Sequence, residues 1–87
     1  MTREEISAKV MELAAEQAGV NVSEVCPATH FVNDLNFDSL DLVEYVMALE
    51  DEFGISVDDE TAQRTQTVAE AVELVSARLD TLGKEAA

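Results

Sequence analysis

Between Val10 and Gln63 the chain has no lysine and no arginine. Its five basic residues are Arg3, Lys9, Arg64, Arg78 and Lys84; against nineteen acids they leave a net charge of −14. A surface of that sign repels nucleic acid and anionic membrane, and it draws in partners with basic docking sites. Acidic faces also keep small proteins dissolved, so charge alone does not identify a partner. Cysteine is equally scarce. The single Cys26 excludes an internal disulfide and fits a reducing compartment, so a cytoplasmic location is expected. The one histidine, His30, lies close to Cys26 in sequence, but no third group is evident to orient the pair for nucleophilic catalysis. His30 is therefore expected as a surface or loop-packing residue and Cys26 as a small apolar filler. No metal-ligand cluster is apparent, and no metal is expected. No apolar run is long enough to cross a bilayer, and the Met1-Thr2-Arg3-Glu4-Glu5 start has no apolar signal-peptide core. Repeats, low-complexity stretches and interdomain linkers are missing as well.

With 87 residues there is room for one core and hardly for a deep, preorganised active site. That weighs against an enzyme and towards a carrier, adaptor or interaction module. Hydrophobic residues make up 47% of the chain and recur with helical spacing, which argues against disorder. Thr2 and Glu5 have capping-box spacing and open a first helix over about 3–18, with Ile6, Val10, Leu13 and Ala14 as its apolar stripe and Gly19 as its stop. Residues 20–38 form a long connection containing Pro27, expected to be pinned to the core by Val20, Val25, Phe31 and Leu35. A second helix spans about Ser39 to Phe53, stopped by Gly54. Asp58 or Asp59 caps a short third helix ending near Arg64. Thr67 and Glu70 open a last helix with Val68, Val72, Val75, Leu79 and Leu82 on one face. The fold class is all-α: a small bundle of three main helices plus one short helix, with a long loop after the first. Residues 1–87 are expected to form one domain, with 83–87 a frayed tail.

The second helix has more apolar surface than a small bundle can bury. At about 100° per residue, Leu42, Tyr45, Val46, Leu49 and Phe53 share one side, while Leu40, Val43 and Met47 share the opposite one. Glu44 and Asp51 lie beside the second stripe, which places it towards water. One or two exposed aliphatics are ordinary. Three in line, rimmed by carboxylates, form a docking surface with apolar contact for affinity and charge for steering.

Asp38-Ser39-Leu40 stands where the long loop meets this helix. A serine there is ordinarily an N-cap. Its hydroxyl also lies beside unpaired backbone N–H groups and the positive end of the helix dipole, where an attached phosphate would be stabilised. The stretch from Phe31 to Phe53, FVNDLNFDSLDLVEYVMALEDEF, closely resembles the carrier-site region of bacterial acyl carrier proteins. The resemblance extends from Gly19-Val20 to Thr67-Val68, nearly the whole chain. It implies a non-enzymatic carrier of acyl groups, held as thioesters on a 4'-phosphopantetheine arm that a holo-acyl-carrier-protein synthase transfers from coenzyme A to Ser39. The same resemblance makes Asp38, Leu40, Asp41, Val43, Glu44 and Met47 the partner-binding set. It makes Phe31, Leu42, Val46 and Leu49 candidates for an acyl pocket, although plain packing explains these four equally well. The implied partners are that synthase, acyl transferases, ketosynthases and other enzymes with basic docking patches, met by a monomer that neither binds nucleic acid nor inserts into membrane.

Three positions depart from the family pattern. Asn36 stands where glycine is usual, and asparagine tolerates left-handed backbone better than most residues. Tyr45 replaces a usual leucine, and its hydroxyl needs a partner or an exit to solvent. Thr65 stands where an aliphatic contact residue is expected. Both fatty-acid synthesis and a specialised lipid or polyketide pathway remain open. Two rivals are weaker. A peptidyl or aminoacyl carrier would show a Gly-Gly-x-Ser type of site, which Asn36-Phe37-Asp38-Ser39 lacks. An EF-hand-like calcium module matches at Asp34, Asn36 and Asp38, then fails at Ser39, where glycine is needed, and at Tyr45, where the bidentate glutamate should be.

Overall fold

The computed structural model describes the backbone of residues 2–86 and the side chains of residues 2–81. Among the described residues four α-helices follow one another: α1 (Arg3–Ala18), α2 (Ser39–Phe53), α3 (Asp59–Arg64) and α4 (Val68–Ala86). A single 3₁₀ turn, Val22–Glu24, interrupts the first loop and was not foreseen. No strand occurs among the described residues. α1 packs against α4 and α2, and α3 lies against α2.

The helix boundaries follow from local chemistry. Thr2 Oγ1 accepts the Glu5 N–H at 3.2 Å while Glu5 Oε1 accepts the Thr2 N–H at 2.9 Å. Asp38 and Asp41 form the same reciprocal box, at 2.8 and 3.2 Å, and Thr67 and Glu70 repeat it. Asp58 rather than Asp59 caps α3, accepting the Thr61 N–H. Each box satisfies donors that an α-helix start leaves without partners. Gly19 and Gly54 close α1 and α2 at φ 73° and 65°. A Cβ at either position would meet nothing within 4 Å, so glycine is required there by the left-handed backbone and not by space. α4 continues as helix through Ala86. The Leu82 side chain, placed on the last apolar face, lies outside the described side chains.

The core forms where the apolar stripes of α1, α2 and α4 converge. Ile6, Val10 and Ala14 are buried, with Leu13 half-buried beside them. Tyr45, Leu49 and Phe53 meet them from α2, and Val68, Val72 and Val75 from α4. The long loop is stitched to the head of α4: Phe31 N–H donates to Gln66 O at 2.9 Å, Val68 N–H to Thr29 O at 3.0 Å, and Ala69 N–H to Pro27 O at 2.9 Å. Val25 and Phe31 pin this loop as expected and Leu35 packs at the core margin, but Val20 does not: it is 37% exposed, directly after the left-handed turn at Gly19. Phe37 is the anchor the periodicity missed. Its ring stacks on Phe31 with centroids 5.5 Å apart and meets Tyr45 edge-on at 5.7 Å. Cys26 is also corrected: it is exposed, not a core filler.

Candidate functional site

Ser39 is the first residue of α2 and is exposed. The loop delivers it there through Asn36, the one described non-glycine residue with positive φ, at 59°. That left-handed turn is the conformation for which glycine is otherwise preferred, and asparagine supplies it here. Phe37 then drops into the core and fixes where the helix begins. Asp38 Oδ1 turns back to the Asp41 N–H, and Asp38 O accepts the Leu42 N–H at 3.0 Å. This leaves the N–H groups of Ser39 and Leu40 at the open end of α2, beside the Ser39 hydroxyl, where helix geometry supplies no internal acceptor. An anion bonded to that hydroxyl meets two donors and the positive end of the helix dipole.

The stripe beside Ser39 is open to solvent. Leu40, Val43 and Met47 are 65%, 54% and 57% exposed. Asp41 and Glu44 border it, and α1 reaches both: Gln17 Nε2 donates to Asp41 Oδ1 and to Glu44 Oε1, each at 3.3 Å. Gln17 was not anticipated, and only the packing of α1 on α2 brings it there. No ion pair involves an α2 carboxylate among the described residues; the pairs are Arg3–Glu73, Lys9–Glu12, Arg64–Glu60 and Arg78–Asp58. The acidic edge of α2 therefore keeps its field for an outside cation.

A cleft of about 310 Å³ runs from Ser39 between α2 and α3, lined by Leu42, Val43, Val46 and Met47 on one wall and by Val57, Asp59, Ala62 and Gln63 on the other, with Glu50 at its side. Of the four pocket candidates, Leu42 and Val46 line this cleft. Phe31 and Leu49 do not; both are 1% exposed within the core. The α3 wall was missed because a six-residue helix is too short to show a periodicity. Glu50 braces that wall, its Oε2 accepting the Val57 N–H at 2.9 Å. Asp58 braces it from the other end, and its carboxyl is held below the usual aspartate range by the Thr61 hydroxyl and N–H, and by Arg78.

The remaining departures find their place in packing. The Tyr45 hydroxyl donates to Val10 O at 2.9 Å inside the bundle, and burial pushes its phenol well above the ordinary range. The ring points towards α1 and does not line the cleft. Thr65 is half-buried and donates its hydroxyl to Thr61 O at 2.9 Å, closing the end of α3. Asp34 and Asp38, two of the calcium-like positions, are spent on backbone N–H groups of His30 and Asp41.

Comparison with known proteins places this geometry. The family described as phosphopantetheine attachment site matches residues 8–75. An acyl carrier protein of Rubrobacter xylanophilus is 51% identical over 75 residues, which is 86% of this chain and 93% of that one. The crystal structure of an acyl carrier protein from Thermotoga maritima superposes with a TM-score of 0.78 at 32% identity, covering 94% of this chain and 95% of its own. An acyl carrier protein structure from Enterococcus faecalis gives 0.76 at 36% identity, covering 90% and 99%.

Proposed function

The chain belongs to the acyl carrier proteins, phosphopantetheine-dependent carriers that are not enzymes, and from that premise we propose that Ser39 is the residue that takes the arm. The observation that carries this reading is the exposed Ser39 hydroxyl at the open N-terminus of α2, at the mouth of the α2–α3 cleft. The residues present fit the group. A phosphodiester on Ser39 would sit against the N–H ends of Ser39 and Leu40, while the Asp38 carboxylate is engaged in its own capping bond to the Asp41 N–H. When bound, the arm supplies a terminal thiol that holds acyl groups as thioesters. Ser39 fixes the point from which cargo swings. Leu42, Val46, Val57 and Ala62 give the cleft apolar walls for part of that cargo.

Leu40, Val43 and Met47, with Asp38, Asp41 and Glu44, form the surface that partner enzymes read. A holo-acyl-carrier-protein synthase meets it first, then acyl transferases, ketosynthases and other enzymes with basic docking patches. No helix among the described residues is long and apolar enough to cross a membrane. We place the protein in the cytoplasm as a monomeric, single-domain carrier of fatty-acid synthesis or of a specialised lipid or polyketide pathway.

Intact-mass measurement after incubation with coenzyme A and a phosphopantetheinyl transferase tests the assignment. Wild type should gain one phosphopantetheine and Ser39→Ala none. Modification of the alanine variant, or none of wild type with several transferases, would falsify it.

A further inference from the structure

His30, the one histidine, has a place in the fold that the carrier reading does not use. It stands at the start of the tight turn over residues 30–36, which leads into Phe37, Asp38 and Ser39. The ring Nδ1 accepts two backbone N–H groups, from Val32 at 3.2 Å and Asn33 at 3.1 Å. In return the His30 N–H donates to Asp34 Oδ2 at 2.7 Å. The main chain continues the turn, with Asp34 N–H and Leu35 N–H donating to His30 O and Asn36 N–H donating to Val32 O. The imidazole thus does for this turn what Thr2, Asp38 and Thr67 do for α1, α2 and α4. It occupies orphan donors at the head of a helical segment.

The difference is chemical. A hydroxyl or carboxylate keeps its acceptor lone pairs through the neutral pH range, whereas imidazole loses one on protonation. Two N–H groups aimed at Nδ1 require it to be unprotonated, so the neutral ring must carry its proton on Nε2. A second proton has only Nδ1 to go to. It would turn the acceptor into a donor facing two donors, and the Val32 and Asn33 N–H groups would lose their partner. We propose that His30 is a pH-sensitive cap on the turn before Ser39, closed when the ring is neutral and released when it is charged.

Three other titratable groups lie around this turn. Asp34 lies on the turn itself. The Cys26 thiol stands on the preceding loop, within the field of Asp34. Glu70, at the head of α4, holds the Gln66 and Thr67 N–H groups, and Thr67 forms a backbone bridge with His30. None of them lets a protonated Nδ1 keep its two bonds, since the Val32 and Asn33 N–H groups would then face a donor, so a charged ring leaves the cap. Release frees the segment between the Phe31 and Phe37 anchors. That is the segment whose left-handed Asn36 sets the start of α2.

Nitrogen NMR of the full chain tests this from about pH 8 to about pH 5.5, the range in which histidine changes charge. At the upper end the Nδ1 resonance should be that of an unprotonated acceptor, with Nε2 carrying the proton. As pH falls, the Val32 and Asn33 amide signals should shift in one step, in register with the His30 ring protons. In His30→Asn, whose side-chain oxygen accepts without titrating, the two amides should stay flat over the same interval. A protonated Nδ1 at about pH 8 would overturn the proposal. So would Val32 and Asn33 amides that ignore the ring, or the same step persisting in His30→Asn, which would assign it to Asp34, Glu70 or Cys26.

Discussion

The two sides of α2 are built from the same kind of residue and meet opposite surroundings. Tyr45 and Leu49 are each 1% exposed, under the cover of α1 and the long loop, while Leu40, Val43 and Met47 are each more than half exposed. Hydropathy does not separate the two sets. A neighbour does, because α1 and α4 are long enough to cover one side, whereas α3 has six residues and stands off across a cleft. Charge follows the same division. No α2 carboxylate is buried, and Asp41 and Glu44 edge the open side without a cation among the described residues. An apolar strip left open, rimmed by charge and next to an exposed hydroxyl, is the observation on which the proposed partner surface rests. The buried strip is kept for stability.

Substitutions of similar size on the two sides should therefore fail in different assays. Leu49→Ala removes a side chain from a packed core and should lower the unfolding free energy by about 2–5 kcal/mol. Met47→Ala should change it by no more than about 0.5 kcal/mol. Urea denaturation of both variants measures the contrast, and equal losses would mean that the open side is covered after all.

Binding should reverse that ranking. Met47→Ala should speed dissociation from a basic partner enzyme, and Glu44→Lys should slow association by up to about tenfold while flattening its salt dependence. Stopped-flow kinetics at two ionic strengths distinguishes the effects. Rates unchanged in both variants would show that partners read some other face.

The smallest effect concerns the charges themselves. Monovalent salt at about 0.1 M screens exposed charges beyond about 10 Å, so a modest rise in Tm on adding salt is expected from the unpaired acids of α2 and its flanks. Acid should act the other way. Glu5 is held below its ordinary range by the Thr2 N–H, and Asp58 by Thr61 and Arg78. Carboxyls depressed in the folded state contribute stability that is present above their unfolded values, about 4, and is lost as pH falls through the folded ones. Thermal melts should show the loss below about pH 5. Asp58→Asn should lessen it, since the amide cannot titrate. A Tm indifferent to salt would mean that the repulsion is already relieved within the fold.

Much of this architecture was legible along the chain because its causes are local. Thr2, Asp58 and Thr67 cap helices through bonds three residues long, and Gly19 and Gly54 end helices by backbone freedom alone. The two stripes of α2 follow from its pitch, whereas Ser39, at a position where serine is ordinarily a plain cap, is singled out only by the resemblance of the stretch around it. Tertiary structure decided what depends on contacts across the chain. It sent Phe31 and Leu49 into the core and left Leu42 and Val46 at the cleft, because four apolar residues on one helix or loop look alike until opposing walls exist. Phe37 became an anchor, and Val20 did not, through the path of a loop without periodicity. The same packing gave the Tyr45 hydroxyl its acceptor in Val10 O, 35 residues away, and brought Gln17 to Asp41 and Glu44. A capping bond closes within one turn of chain and can be read from spacing. A pocket wall needs two segments that meet only once the core has formed.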